Sequence, residues 1–403
     1  MNITNENQLI EKPINKKFIP ALIIIFIVVI IIVLLSFKGS RTMIFNFFSN
    51  KDAVLIAKAT DIDYSIKGSC RTAVFGEDII VCDENGITAL DKYGKWQWNE
   101  KTNFITPVIS VKGEYMLITD IGGTSVHLYK NLKLLYKENF PLGIISSNLG
   151  KNGCVMVIQK EESYQVSVSM IKPEGDPKIA FTRKFGDTFV MASAMSDDGD
   201  QIITSAMNMA ENEGNSSISF LRTSDGEVFS TEIIQKELFP LVWYMPDNTV
   251  FLSSGESIRR IKKTSSSSDT FDINETIWAK GSSNLVISCG SKVMNKYLVI
   301  AFYPDTSSPL VIGGRSTIKI FDNDGKEKSS FIFEGEATGI SSSKDTVAVY
   351  SDNRVTLYNI SGKIQGEYTN GSNIKDVSFI SNKEILISSK DKIVYVEFLH
   401  KIS

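Results

Sequence analysis

Few residues in this sequence could carry nucleophilic, redox or metal chemistry. The histidines are His127 and His400, and the cysteines are Cys70, Cys82, Cys154 and Cys289. No two cysteines form a C-x-x-C pair, and Cys82, Cys154 and Cys289 lie in strand-like apolar runs typical of buried small side chains. Neither histidine has a plausible partner in the sequence, and no G-x-S-x-G motif occurs. We therefore expect no catalytic triad, and a bridge between Cys70 and Cys82 is left open.

Two acidic segments have the composition of calcium-binding loops. The first is DNDG at residues 322–325, and the second is SDDGD at residues 196–200. An EF-hand loop needs ligands at positions 1, 3 and 5 and glycine at position 6, whereas the first segment has glycine at position 4. The second segment joins two strand-like runs. Both are interpreted as turns, and no metal site is predicted.

The elements that would position any site begin with a membrane anchor. Residues 18–35 contain no charged side chain, and sixteen of these eighteen residues are Leu, Ile, Val or Phe. A helix that begins at Phe18 and continues to Phe37 spans about 30 Å of hydrocarbon. A cleaved signal peptide would have a shorter apolar core and a small-x-small cleavage site, which is missing here. We predict an uncleaved signal anchor at residues 18–37 that inserts into the lipid bilayer.

The flanking charges indicate on which side of the membrane the rest of the chain lies. Three lysines precede the span, and one lysine and one arginine closely follow it, which is a weak positive-inside bias. Residues 1–17 are polar and aperiodic, as in a disordered tail. We expect residues 1–17 in the cytoplasm, a stalk at residues 38–52 and an extracytoplasmic domain at residues 53–403.

The domain after the stalk has the pattern of an all-β protein, with short apolar runs separated by Gly, Asn, Asp and Ser. One unit recurs, consisting of an alternating strand, a turn that ends in glycine, and another strand. Its copies cover residues 86–98, 217–230, 317–333 and 355–368, and a fainter copy at residues 125–139 has Lys133 instead of the glycine. Glycine at this position supplies the positive φ of a tight hairpin.

The spacing of these units predicts a β-propeller. We place the first strand of successive units near Thr72, Pro107, Gly143, Phe189, Leu241, Leu285, Ala337 and Asp376. Steps of roughly 35 to 52 residues are typical of four-stranded blades, and about thirty strands exceed the seven to nine of a sandwich. The prediction is an all-β propeller of four-stranded antiparallel blades after one transmembrane helix, with eight blades favoured over seven.

The two ends of the chain are expected to close the ring. The last unit supplies only three strands, at residues 376–381, 384–389 and 392–399, whereas an unplaced strand at residues 53–57 or 62–66 precedes the first full blade. Open strand edges promote aggregation. We therefore predict that the N-terminal strand becomes the outer strand of the last blade, beside residues 393–398.

Residues 83–120 resemble a blade of the quinoprotein-like (PQQ-like) propellers, through ALDKYGKWQW followed by PVISVKGEYMLITD. The whole layout resembles an uncharacterised family of single-pass membrane-anchored propellers of low-GC Gram-positive bacteria. These resemblances imply an architecture. Quinoprotein dehydrogenases use adjacent cysteines, a calcium ion held by carboxylates and an aspartate base, and this sequence has no adjacent cysteines. Since fold alone does not carry function, we expect no quinone and no other cofactor.

Two long connections are candidates for partner binding. Residues 207–216 and 304–316 should both join the second and third strands of their blades, and therefore emerge on the face where each innermost strand begins. Residues 264–268 should lie on the opposite face. Long loops on a rigid scaffold often carry binding, and the alternative is that they are tolerated surface insertions. The candidate binding residues are Asn208, Glu211, Asn212, Pro304, Asp305 and Arg315.

Composition and motifs together favour a non-catalytic protein-interaction or envelope-scaffolding module at the cell membrane, with an unidentified envelope protein as its partner. The net charge of −3 argues against a nucleic-acid binder, which would have a basic face. One alternative is an envelope carbohydrate-active hydrolase or lyase, which predicts clustered acids at the propeller axis. A second alternative is a small-ligand sensor, although the short tail leaves little to transmit a signal.

Overall fold

The computed structural model describes residues 56–175, 178–208, 214–264, 269–280, 285–294, 296–304 and 314–399. The chain divides into two units, Met1–Val54 and Leu55–Ser403, and the described residues all belong to the second. No helix in these ranges is long and apolar enough to cross a membrane. The predicted tail, signal anchor and stalk lie outside the described residues.

Thirty-two strands form eight four-stranded antiparallel sheets, which are the blades of a propeller. One strand, β1 (Ile56–Ile62), precedes the first complete blade. Blade 1 consists of β2 (Arg71–Phe75), β3 (Asp78–Asp83), β4 (Gly86–Leu90) and β5 (Trp96–Lys101). Blade 2 consists of β6 (Pro107–Lys112), β7 (Tyr115–Asp120), β8 (Ser125–Lys130) and β9 (Lys133–Asn139). Blade 3 consists of β10 (Ile144–Leu149), β11 (Val155–Lys160), β12 (Val166–Ile171) and β13 (Ile179–Phe185).

The remaining blades repeat this order. Blade 4 consists of β14 (Thr188–Met195), β15 (Gln201–Asn208), β16 (Ser216–Arg222) and β17 (Val228–Ile234). Blade 5 consists of β18 (Leu241–Tyr244), β19 (Val250–Ser253), β20 (Ser257–Lys263) and β21 (Phe271–Ala279). Blade 6 consists of β22 (Leu285–Met294), β23 (Tyr297–Pro304), β24 (Ser316–Asp322) and β25 (Glu327–Phe333). Blade 7 consists of β26 (Gly339–Ser342), β27 (Thr346–Tyr350), β28 (Arg354–Asn359) and β29 (Ile364–Thr369). Blade 8 consists of β30 (Ile374–Ser381), β31 (Glu384–Ser389), β32 (Ile393–Leu399) and β1.

The fold class and the count of eight blades are confirmed, and each blade begins at the predicted position or within two residues of it. The four recurring units are the hairpins of third and fourth strands. Their glycines Gly94, Gly226, Gly325 and Gly362 have φ of 85°, 73°, 74° and 78°, the left-handed conformation that glycine adopts without strain. The fainter copy differs from the prediction, because its turn consists of Asn131 (φ 48°) and Leu132 (φ 62°). Lys133 is already the first residue of β9.

The hydrophobic core is divided among the junctions between neighbouring blades. Eight apolar clusters occupy the eight junctions, including the one between blade 8 and blade 1. Second and third strands are covered on both sides, so β7 and β12 are buried along their whole length. Fourth strands such as β5 and β13 are largely exposed. This pattern explains why the middle strands read as continuous apolar runs.

Ring closure follows the prediction, with a correction to the strand that provides it. β1 pairs antiparallel with β32 from Ile56 opposite Leu399 to Ile62 opposite Ile393. The closing strand therefore differs from both candidates. It contains the end of the segment at residues 53–57 and the first residue of the segment at residues 62–66. At the same junction the hydroxyl of Ser378 donates to the carbonyl of Thr72 at 2.8 Å. We call the face with the connections between second and third strands, and between consecutive blades, the upper face, and the opposite one the lower face.

Candidate functional site

The described members of the predicted binding set, Asn208, Pro304 and Arg315, lie at the upper face, and they belong to two blades that are not neighbours. Both long connections join second and third strands, in blades 4 and 6. Asn208 is half-buried at the end of β15, and the exposed Arg315 pairs with Glu334 at 2.8 Å. Pro304 ends β23, whereas Glu211, Asn212 and Asp305 lie outside the described residues. A binding role for these residues stays a prediction.

A groove of about 670 Å³ lies on the upper face between blades 3 and 4. Its sides come from the end of β11, the connection from β11 to β12, and the start of β14. The lining residues are Ile145, Lys160, Glu161, Glu162, Ser163, Tyr164, Gln165, Gly186 and Phe189. We call this set the blade 3–4 groove. Sequence reasoning placed no binding residue in it.

Glu161 holds the connecting loop of the groove against blade 3. Its Oε1 accepts hydrogen bonds from Ser167 Oγ (2.9 Å) and Gln159 Nε2 (3.3 Å), and its Oε2 pairs with Lys184 Nζ at 3.1 Å. Burial raises the pKa of Glu161, but the bonds from Ser167 and Lys184 outweigh burial and lower the pKa overall. The carboxylate is thus ionised at neutral pH and supports the loop.

Two aromatic rings give the blade 3–4 groove its apolar surface. Tyr164 is 44% exposed and Phe189 is 36% exposed. The Tyr164 ring lies against Gly186, where an added Cβ would approach the ring to 3.3 Å, and Lys184 Nζ lies 5.4 Å from the ring centroid. Beside the rings, Glu162 and Asp187 are exposed together with Lys160, and Lys184 is paired with Glu161, so the acids outnumber the lysines by one. This arrangement can receive an apolar side chain from a segment with basic neighbours.

A second groove, of about 550 Å³, lies on the upper face between blades 4 and 5. Glu237, in the connection between these blades, accepts hydrogen bonds from the hydroxyls of Ser254 (2.6 Å) and Ser257 and from Arg259 Nη2 (2.7 Å). Burial raises the pKa of Glu237, and these donors lower it by more. The carboxylate therefore fastens the connection between the blades to blade 5 through three donors.

The axis of the propeller is poor in groups for acid–base chemistry. Among the innermost strands, as the structure bounds them, Asp376 of β30 is the one carboxylate. Its Oδ1 accepts the backbone N–H of Val377 at 2.9 Å. Within the described residues no group of three His, Cys, Asp or Glu side chains could hold a metal ion. The innermost strands therefore lack the paired carboxylates that glycoside hydrolysis requires.

One buried polar cluster lies between blades 1 and 2 and contains His127, whose Nδ1 makes no hydrogen bond within the part of the chain that the structure describes. His127 is 3% exposed, and its Nδ1 lies 3.5 Å from Glu100 Oε1. Glu100 also pairs with Lys137 and accepts a hydrogen bond from the Tyr129 hydroxyl at 2.8 Å. The Phe104 ring lies 5.4 Å from the imidazole. Because a substrate cannot reach this buried imidazole, we assign the cluster a structural role.

His127 should make the stability of the protein depend on pH. Burial and the charge of Lys137 lower the pKa of His127 from 6.5 to about 4. The unfolded chain therefore binds a proton between these pH values that the folded chain does not bind, and stability is lost as pH falls. We expect the free energy of unfolding to fall by about 2 kcal/mol between pH 7 and pH 5. Urea unfolding at each pH measures this difference.

The pH dependence should disappear in His127→Asn and persist in His400→Asn, which removes the other histidine. Glu100 does not interfere in this range, because its pKa is lowered from 4.5 and its contribution is lost only at lower pH. An unchanged pH slope in His127→Asn would contradict the assignment.

Among the described residues, Cys70, Cys82 and the two acidic turns have structural roles. Cys70 and Cys82 are buried and unbridged, and burial raises the pKa of Cys70 to about 12. Asp322 Oδ1 accepts the backbone N–H groups of Asp324 (3.0 Å) and Lys326 (2.9 Å). The segment at residues 322–325 is therefore a hairpin turn, as predicted. Residues 196–200 likewise connect β14 and β15.

Comparisons with known proteins agree with the fold. No curated protein matches the sequence at a significant level. The C-terminal WD40 domain of Sif2 superimposes with a TM-score of 0.58 and 12% identity, over 86% of this chain and 99% of that one. A eukaryotic initiation factor superimposes with a TM-score of 0.52 and 9% identity, over 85% of this chain and 91% of that one. BamB from Moraxella catarrhalis superimposes with a TM-score of 0.43 and 14% identity, over 72% of this chain and 96% of that one.

At these identities the likeness to the WD40 domain and to the initiation factor shows the propeller fold alone. The closer resemblance to quinoprotein-like propellers stays a prediction. A family model, described as a family of unknown function (DUF5711), matches residues 52–398. This match covers all eight blades except the last residue of β32. The chain therefore belongs to the DUF5711 family.

Proposed function

We propose that this protein is a single-pass membrane protein that displays its propeller outside the cytoplasm as a non-catalytic protein-interaction or envelope-scaffolding module. The uncharged apolar run at residues 18–35 supports the anchor. The three lysines before it and the short polar tail support a cytoplasmic N-terminus. The bilayer is thus one partner, and an envelope protein is the other.

The blade 3–4 groove is the observation that carries the protein-binding role. Exposed Tyr164 lies on the loop that Glu161 already holds in place, and exposed Phe189 lies opposite it on β14. Aromatic residues presented on a rigid support are typical anchors of protein interfaces, because little conformational entropy is lost when they bind. Glu162 and Asp187 favour a partner segment that combines an apolar side chain with basic residues.

The composition of the axis favours a binding module over the carbohydrate-active alternative. A hydrolase needs two carboxylates about 5 to 10 Å apart, whereas the innermost strands contain Asp376 alone. His127 is buried at 3% exposure, so its imidazole cannot meet a glycan, and the half-buried Glu100 is engaged by Lys137 and Tyr129. A small-ligand sensor has no comparable support among the described residues.

Photo-crosslinking in cells tests the binding role. A photoreactive amino acid at position 164 should yield a defined protein adduct, and Phe189→Ser should lower its yield while the variant stays folded at the temperature of the experiment. Ile233, which is exposed on the outer strand β17, is the matched control position and should give no such adduct. Identical adducts from positions 164 and 233, or an adduct that Phe189→Ser leaves unaffected, would refute the groove as the binding site.

A further inference from the structure

The turn between β4 and β5 presents an unusual combination of exposed side chains. Tyr93 is 82% exposed and Trp96 is 56% exposed, and Lys92 and Lys95 are exposed beside them. The residue before glycine is Asp225, Asp324 or Ser361 in the three other glycine-containing copies of this turn. A short polar residue therefore satisfies the hairpin, and the fold itself does not require Tyr93.

The turn is rigid without any partner. Asp91 Oδ1 accepts the backbone N–H groups of Tyr93 and Lys95, both at 2.9 Å, and the carbonyl of Asp91 accepts that of Gly94 at 2.9 Å. Lys92 Nζ lies 5.1 Å from the centroid of the Tyr93 ring. The aromatic and cationic groups are thus held at the surface by the backbone, and their exposure is a fixed feature of the fold.

The turn lies against Ile62, the last residue of β1, and the described chain begins at the other end of this strand. A Cβ added to Gly94 would approach Ile62 Cγ2 of β1 to 3.1 Å. A groove of about 440 Å³ continues from Lys92 and Tyr93 along β1 and β32. Its acids are Asp61, Glu384 and Glu397, and its lysines are Lys58 and Lys92. Asp61 pairs with Lys392 at 3.1 Å, and Glu384 accepts hydrogen bonds from Tyr395 and Ser381. Lysines and acids therefore balance here, and the exposed rings dominate the turn.

We propose that this turn contacts the surface of the lipid bilayer. Tryptophan and tyrosine are enriched at the membrane–water interface, since the ring is apolar and its N–H or O–H reaches water. Lysine places its methylene chain in the same layer while its ammonium group reaches the lipid headgroups. The inference depends on the proposed membrane anchor, which delivers the chain to the bilayer shortly before β1.

Fluorescence quenching by brominated lipid can test this contact in the full chain. The four tryptophans are Trp96, Trp98, Trp243 and Trp278, and residues 1–95 contain none, so the predicted anchor contributes no signal. The protein is reconstituted into phosphatidylethanolamine–phosphatidylglycerol vesicles, with and without lipid that carries bromine near the headgroup. We expect partial quenching that Trp96→Phe largely abolishes and Trp243→Phe leaves intact. Tyr93→Ser with Lys92→Gln should also reduce it.

Vesicle flotation separates this inference from the proposed anchor. Failure of the full chain to float with the vesicles would overturn the anchor and the lipid contact together. Flotation without quenching, or quenching that survives Trp96→Phe, would overturn the lipid contact alone. Since Trp96 is exposed, the replacement should leave the melting temperature unchanged, and that measurement confirms that the variant is folded.

Discussion

Removal of residues 392–403 should convert the protein into an insoluble or protease-sensitive species. The deletion takes away β32, which pairs with β31 on one side and β1 on the other. It also removes the buried side chains of Ile393, Val394, Val396 and Phe398, each worth about 1.5–3 kcal/mol of burial. This loss is comparable with the whole stability of a typical domain, about 5–15 kcal/mol. Solubility, limited proteolysis and thermal unfolding measure the outcome.

A shorter deletion provides the matched control. Removal of residues 400–403 alone leaves every described strand in place, so this variant should remain soluble with the melting temperature of the intact protein. A truncation at residue 392 that stays soluble and melts at an unchanged temperature would show that the β1–β32 pairing does not hold the ring closed.

The architecture could be predicted because its determinants are local in sequence. The alternation of apolar runs and turn residues located the eight innermost strands, and a glycine at φ near 80° marks four of the hairpins. The need to pair the last three strands also predicted a closing strand at the N-terminus. Its bounds, Ile56–Ile62, could not be chosen in advance, since pairing register depends on contacts with distant residues.

The hairpin at Asn131 and Leu132 shows where turn chemistry alone was insufficient. The copy at residues 125–139 has no glycine, so its sequence indicated only that its turn differs from those of the other four copies. In the structure the turn consists of two residues that both have positive φ. Asparagine tolerates this conformation, and the pairing of β8 with β9 on either side holds the leucine in it. The signal was present in the sequence as an asparagine between two alternating strands.

The contacts between blades could not be predicted from spacing. His127 and Glu100 belong to different blades, and they meet because β8 packs against β5 across a junction. The blade 3–4 groove likewise combines Tyr164 from one blade with Phe189 from the next. Loop length directed attention to residues 207–216 and 304–316, whereas the shorter loop at residues 161–165 forms the groove. An aromatic residue in an otherwise polar connection was the available signal.

The proposed role requires the propeller to lie outside the cytoplasm, and reporter fusions measure this directly. A reporter enzyme that is active only outside the cytoplasm is fused to full-length protein at Asn2 or at Ser403. An anchor at residues 18–37 with a cytoplasmic tail carries the C-terminal fusion across the membrane and leaves the N-terminal one inside. Immunoblots of both fusions control for expression. We expect activity from the Ser403 fusion alone, and activity from the Asn2 fusion alone would contradict the proposed orientation and the envelope role.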